Sequence, residues 1–196
     1  MSLRPSPRDL PRLRWSEDLQ RRRIARRRCR SRIAAAAGAA SVVTCVLATL
    51  LFSPRPRLIW NASASSPPGL YAISDADDAG RGDIIVATVP PAARDLAAAR
   101  GYLPPFVPLV KGIAGIAGDR ICSRGDLIFV NDRPVATRRR EDPAGRPLPR
   151  WTGCETLGEG DFFLLAEGVA ASFDGRYFGI TRRNEVIGHG TLLWGV

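Results

Sequence analysis

The sequence predicts a mainly β domain, sandwich or barrel-like, tethered by one N-terminal transmembrane helix. Three observations predict it. Residues 33–52, "IAAAAGAASVVTCVLATLLF", run for 20 residues without a charge. Beyond them the chain reads as short β-branched or aromatic segments divided by Gly, Pro, Asn or Asp. The formal charge of +10 sits almost wholly ahead of the uncharged run: residues 1–32 hold 12 arginines against Asp9, Glu17 and Asp18, whereas residues 33–196 hold 17 basic and 16 acidic groups. A length of 196 residues leaves room for one compact domain beside these N-terminal parts.

The first element is the basic tail, 1–32. Nucleic-acid binders of ordinary kind carry their charge on the folded domain, so a near-neutral body argues against a nucleic-acid partner. The second is the span, 33–52. At about 1.5 Å per residue, a helix of that length covers about 30 Å, the thickness of a bilayer core. Its flank "RRRIARRRCRSR" places the tail in the cytoplasm by the positive-inside rule and suits anionic lipid headgroups. A cleaved secretory signal has shorter charged and apolar regions, so the segment reads as an uncleaved anchor, with 53–196 outside the cytoplasm.

"SPRPR" (53–57) is a polar, proline-rich exit from the membrane. Strands follow at 57–62, 83–89, 106–115, 119–123, 127–137, 161–167, 176–180 and 185–196. "VNDRPV" predicts a two-residue hairpin turn at Asn131-Asp132. One helix is predicted, "AARDLAAAR" (92–100), stopped by Gly101. Residues 138–160 read as a polar loop. No internal repeat is visible.

Cys29 falls in the tail and Cys45 in the span, which leaves Cys122 and Cys154 outside. An even pair in an oxidising compartment reads as one disulfide. Closing a loop of about 32 residues, it would stabilise the domain by about 3–4 kcal/mol. A single histidine and the absence of CxxC offer no metal-ligand spacing, so neither metal nor cofactor is expected.

The chemistry starts at Lys111, the only lysine in a chain with 29 Lys and Arg, and it sits in an apolar strand. Burial lowers a lysine's pKa, and a neutral amine accepts a proton that guanidinium cannot. Taken alone, Lys111 also fits a side chain that snorkels to the surface. The second signal is "NASASSPPGLY" (61–71), three serines on a proline- and glycine-rich turn after a strand. Alone it fits a linker. Together, a serine on a tight turn and a neutral lysine match a recognised variant of nucleophilic hydrolysis.

The blocks "SSPPGLY", "RGYLPPFVPLVKGIAGIAGDRIC", "WTGCETL" and "SFDGRYFG", in that order over about 57–196, resemble the signal-peptidase family of Ser/Lys proteases. Within it they are most similar to the conjugative-transfer branch that matures pilin. The resemblance implies Ser65 as nucleophile, Lys111 as general base and Ser63 as a hydroxyl donor of the oxyanion hole. It implies that Ser172 orients the lysine amine and that Asp174 and Arg176 support it. Gly112, Ala117 and Gly175 depart from residues common in the family (Arg, Pro and Ser) and bear on local strand geometry.

The function expected is a membrane-anchored serine endopeptidase with a Ser/Lys dyad. The resemblance implies a bacterial inner-membrane location with a periplasmic catalytic domain, and a pilin precursor as substrate, cleaved with or without cyclisation. Inner-membrane lipid is the other expected partner. Ser65 lies 13 residues beyond Phe52, at most about 45 Å of extended chain, so cleavage is expected near the membrane surface. A general signal peptidase removing leader peptides from preproteins, or an inactive scaffold in a secretion complex, are the alternatives. His189, the sequon at Asn61 and the RGD triplets at 81–83 and 124–126 have no supporting residues and are set aside.

Overall fold

The computed structural model describes residues 10–51 and 56–196. The first nine residues of the basic tail, Phe52 at the end of the expected span and residues 53–55 of the exit lie outside that set. The chain divides after Pro54 into two units. In the first, helix α1 runs from Leu10 to Leu51 without a break between the arginine-rich stretch and the uncharged run. Arg, Ala and Leu all favour helix, so the change of polarity at residue 33 does not end it. Its Leu19–Thr49 portion is long and apolar enough to cross a membrane.

The second unit is built on two antiparallel sheets. The larger contains β1 (Leu58–Asn61), β2 (Gly69–Ser74), β3 (Ile84–Ala87), β4 (Leu109–Gly115), β9 (Phe163–Leu165) and β10 (Val186–Gly195), in the order β1-β2-β10-β3-β4-β9. The smaller contains β5 (Arg120–Arg124), β6 (Leu127–Val130), β7 (Arg133–Thr137) and β8 (Gly153–Thr156), in the order β7-β6-β5-β8. Ile121, Ile128 and Val130 of the small sheet pack with Phe163 and Leu165 of β9. That shared core fixes one sheet against the other. Helix α2 (Pro91–Ala99) opens on a proline, whose missing N–H costs nothing in the first turn, and buries Ala93 and Ala97 near Val89 and Leu109.

One local expectation is met and two are revised. The run 127–137 is a hairpin whose turn residues Asn131 and Asp132 have φ of 50° and 61°, the left-handed geometry a two-residue turn demands. Within the expected polar loop 138–160, β8 pairs with β5 and sets Cys154 opposite Cys122. The expected strand 176–180 is instead a short helix, α3 (Gly175–Phe178), because Asp174 caps it by accepting the Arg176 N–H at 3.2 Å. Aromatic β-propensity yields here to a side-chain cap.

Candidate active site

Strand β1 ends at Asn61 opposite Gly69 of β2, and the intervening turn carries Ser63, Ser65 and Ser66. Asn61 organises it. Its Nδ2 donates to the carbonyls of Ser63 (3.0 Å), Ser66 (3.1 Å) and Pro67 (3.2 Å), and its Oδ1 accepts the Ser63 N–H at 3.0 Å. Two further bonds tie the turn down. The Tyr71 hydroxyl donates to the Pro67 carbonyl at 2.7 Å, and the Ser66 hydroxyl reaches the Val110 carbonyl on β4 at 2.8 Å. Ser66 is therefore buried and engaged, whereas Ser65 is partly open.

The next residue along β4 is Lys111, 6% exposed. Its Nζ donates to Ser65 Oγ, and to Ser172 Oγ at 3.0 Å. Ser63 Oγ shares a hydrogen bond with Ser65 Oγ at 2.7 Å and accepts the Ser65 N–H at 3.3 Å. Lys111 and Ser63 thus both bond the Ser65 hydroxyl, and Ser172 holds the Lys111 amine from a third segment of the chain. Burial lowers the Lys111 pKa to about 8; Asp174 acts to raise it and Arg176 to lower it. Those two form an ion pair with each other, so their opposing fields leave burial as the decisive cause. An amine so depressed is partly neutral near pH 7 and can take a proton from an adjacent hydroxyl.

Asp174 is fully buried and Arg176 is 4% exposed. Arg176 Nε and Nη2 donate to the two Asp174 oxygens at 2.8 and 2.7 Å, and Nη2 also donates to the carbonyls of Ala166 and Val169. The Ala166 N–H donates back to Asp174 at 3.0 Å. This closed network holds the segment that presents Ser172. The departure at Gly175 has a steric reason: a Cβ there would lie 2.8 Å from the Leu164 carbonyl oxygen and from the Phe163 ring, closer than real contacts allow. Cys122 and Cys154 are joined as a disulfide in the small sheet.

His189 stands 3.9 Å from Asp83, two strands from Lys111. The residues that sequence reasoning passed over are Asn61 and Ser66. Asn before a serine- and proline-rich stretch is a signal for side-chain-directed turns, and that signal was available. Among the described residues no group of His, Cys, Asp and Glu could hold a metal ion.

The profile of the family described as signal peptidase, peptidase S26, matches residues 30–194. A plasmid transfer protein TraF from Escherichia coli is 30% identical over 164 residues, covering 79% of this chain and 91% of that protein. Signal peptidase I of Bacillus caldolyticus is 32% identical over 94 residues, 40% of this chain and 49% of that protein. Among solved structures, a signal peptidase I from Enterococcus faecalis V583 is similar at a TM-score of 0.35 and 19% identity, covering 60% of this chain and 100% of that one.

Proposed function

The chain belongs to the signal peptidase family, peptidase S26, and from that membership we propose a membrane-anchored serine endopeptidase in which Ser65 and Lys111 form the catalytic dyad. One observation carries the proposal: the buried Lys111 amine is hydrogen-bonded to Ser65 Oγ. In its neutral form the amine takes the Ser65 proton as Oγ attacks the substrate carbonyl carbon. The oxyanion that forms accepts from the Ser65 N–H and the Ser63 hydroxyl. At rest those groups are bonded to each other, so the substrate oxygen replaces Ser63 Oγ as acceptor. One such donor stabilises the transition state by about 3–4 kcal/mol. Collapse breaks the C–N bond, and Lys111 returns its proton to the leaving amine. Ser172 holds the amine in line, and the Asp174–Arg176 pair holds Ser172.

Similarity to plasmid transfer proteins supports a substrate from conjugative transfer, read here as a pilin precursor. Water, or an amine of the same substrate in a cyclisation, releases the acyl group. The apolar helix and its arginine flank support residues 1–32 as a cytoplasmic tail, 33–52 as the span and 53–196 as a peptidase domain in the periplasm. Trp60 on β1 and Trp194 on β10 both pair with Leu70, so they share a face. They are 51% and 65% exposed, with ring centroids 6.2 Å apart. Indoles suit the bilayer interface, and this face is the one we assign to inner-membrane lipid.

The test is processing of a pilin precursor by the full chain in nanodiscs, read by mass spectrometry. Ser65→Ala abolishes processing, while Ser66→Ala, which loses only the bond to Val110, retains most of it. The opposite pattern would move the nucleophile by one residue.

A further inference from the structure

Residues 139–148 play no part in the proposed chemistry, yet they supply one wall of a cavity of about 550 Å³ that opens on Ser65 and Lys111. Much of the remaining lining is apolar, including Leu103, Leu109 and Phe173. The shape of this wall depends on Asp142, which is 8% exposed.

The Asp142 carboxylate accepts four hydrogen bonds. The N–H groups of Ala144 and Arg146 donate to Oδ1, each at 2.9 Å, and fold residues 141–147 into a tight turn. Arg146 Nε donates to Oδ2 at 2.7 Å, and so does the Tyr102 hydroxyl from the segment after α2. The turn is closed by a bridge between Glu141 and Pro147. Tyr102 is in ring contact with Phe173 at 5.1 Å, and Phe173 follows Ser172, which receives the Lys111 amine. Burial pushes the Asp142 carboxyl up, but bonds from Tyr102, Arg146 and Ala144 outweigh it and hold the group well below the usual carboxylate range. It is ionised at any working pH. A turn alone would be served by the two backbone bonds. The bond to Tyr102 does something more, because it joins two separate segments that line the same cavity.

We propose that Asp142 is a specificity-positioning residue: by clamping the 141–147 turn to Tyr102 it sets the width of the apolar cavity beside Ser65, which takes a bulky apolar side chain of the substrate. The inference rests on the peptidase reading. Asp142 acts through the wall and not on the reacting atoms, so its loss weakens substrate binding and leaves the chemical step.

The test uses the full chain in nanodiscs and a randomised library of internally quenched peptides, with the best substrates of the wild-type chain chosen for kinetics. For these, Asp142→Asn raises KM about ten-fold, the effect of losing a charge-assisted hydrogen bond, while kcat stays within about two-fold. Its library profile loses the preference for bulky apolar side chains at one position. Tyr102→Phe, which keeps the ring, shifts KM and profile in the same direction by less, and it carries the test if Asp142→Asn does not fold. A merely structural role would lower turnover on all peptides alike, with KM and profile unchanged, and would overturn the inference. Unchanged kinetics in both variants would overturn it too. A wild-type chain that cleaves no library member would overturn the peptidase reading together with this one.

Discussion

The depressed pKa of Lys111 makes a quantitative demand on the pH dependence of cleavage. Burial lowers it from 10.5 to about 8, a change of about 3 kcal/mol in the relative stability of the two protonation states. At pH 7 about a tenth of the molecules then hold the neutral amine, and at pH 9 about nine-tenths do. Thus kcat/KM should rise about ten-fold from pH 7 to pH 9 and level off, since the limb reports the free enzyme's base. An unperturbed lysine would be only about 0.03% neutral at pH 7, and its rate would still climb about ten-fold per unit beyond pH 9. Stability follows with a definite sign. The unfolded chain binds this proton more tightly than the folded one, so stability rises with pH between about 8 and 10.5, and the full cost remains below that window. Lys111→Met should remove the slope and stabilise the fold at pH 7 by up to roughly 3 kcal/mol. The assay is kcat/KM on a cleaved peptide from pH 6 to 10, with denaturant midpoints for both chains. A flat profile, or one with no plateau by about pH 9.5, would refute the reasoning.

Two further outcomes bear on the membrane. A reporter active only outside the cytoplasm should work when fused after Leu70; silence there, with activity from a fusion at Ser16, would reverse the proposed orientation. In nanodiscs containing brominated lipid, tryptophan fluorescence should be quenched, and replacing Trp60 and Trp194 by Phe should remove most of that quenching. Quenching that persists unchanged would detach the Trp60–Trp194 face from the bilayer.

Legibility differed from residue to residue, for physical reasons. Lys111 stood out because a neutral amine is a chemistry that the arginines used everywhere else cannot supply. The prolines and glycine advertise the serine turn, but the choice of Ser65 and Ser63 on it came from the family resemblance of "SSPPGLY". Asn61 was passed over although Asn ahead of a serine- and proline-rich stretch marks such turns; which three carbonyls its amide gathers appears only once the turn curls back. Strand β8 was hidden because "GCET" is polar and exposed along its whole length; pairing with β5 makes it a strand, not alternation. The helix α3 was misread as a strand because Tyr177, Phe178 and Ile180 carry β-propensity, whereas the buried Asp174–Arg176 pair decides the backbone. Asp142 looked like one more charge in a polar loop, and its meaning depends on Tyr102, which is 40 residues earlier.

The central claim is that Lys111 must lose its proton for Ser65 to attack. Lys111→Arg tests it most directly, because the substitution keeps the charge and removes only the ability to be a base. Cleavage by the full chain should fall by about 10²–10⁴, the contribution of a general base, with the thermal midpoint showing a folded protein. Near-normal cleavage by Lys111→Arg would contradict the Ser/Lys mechanism.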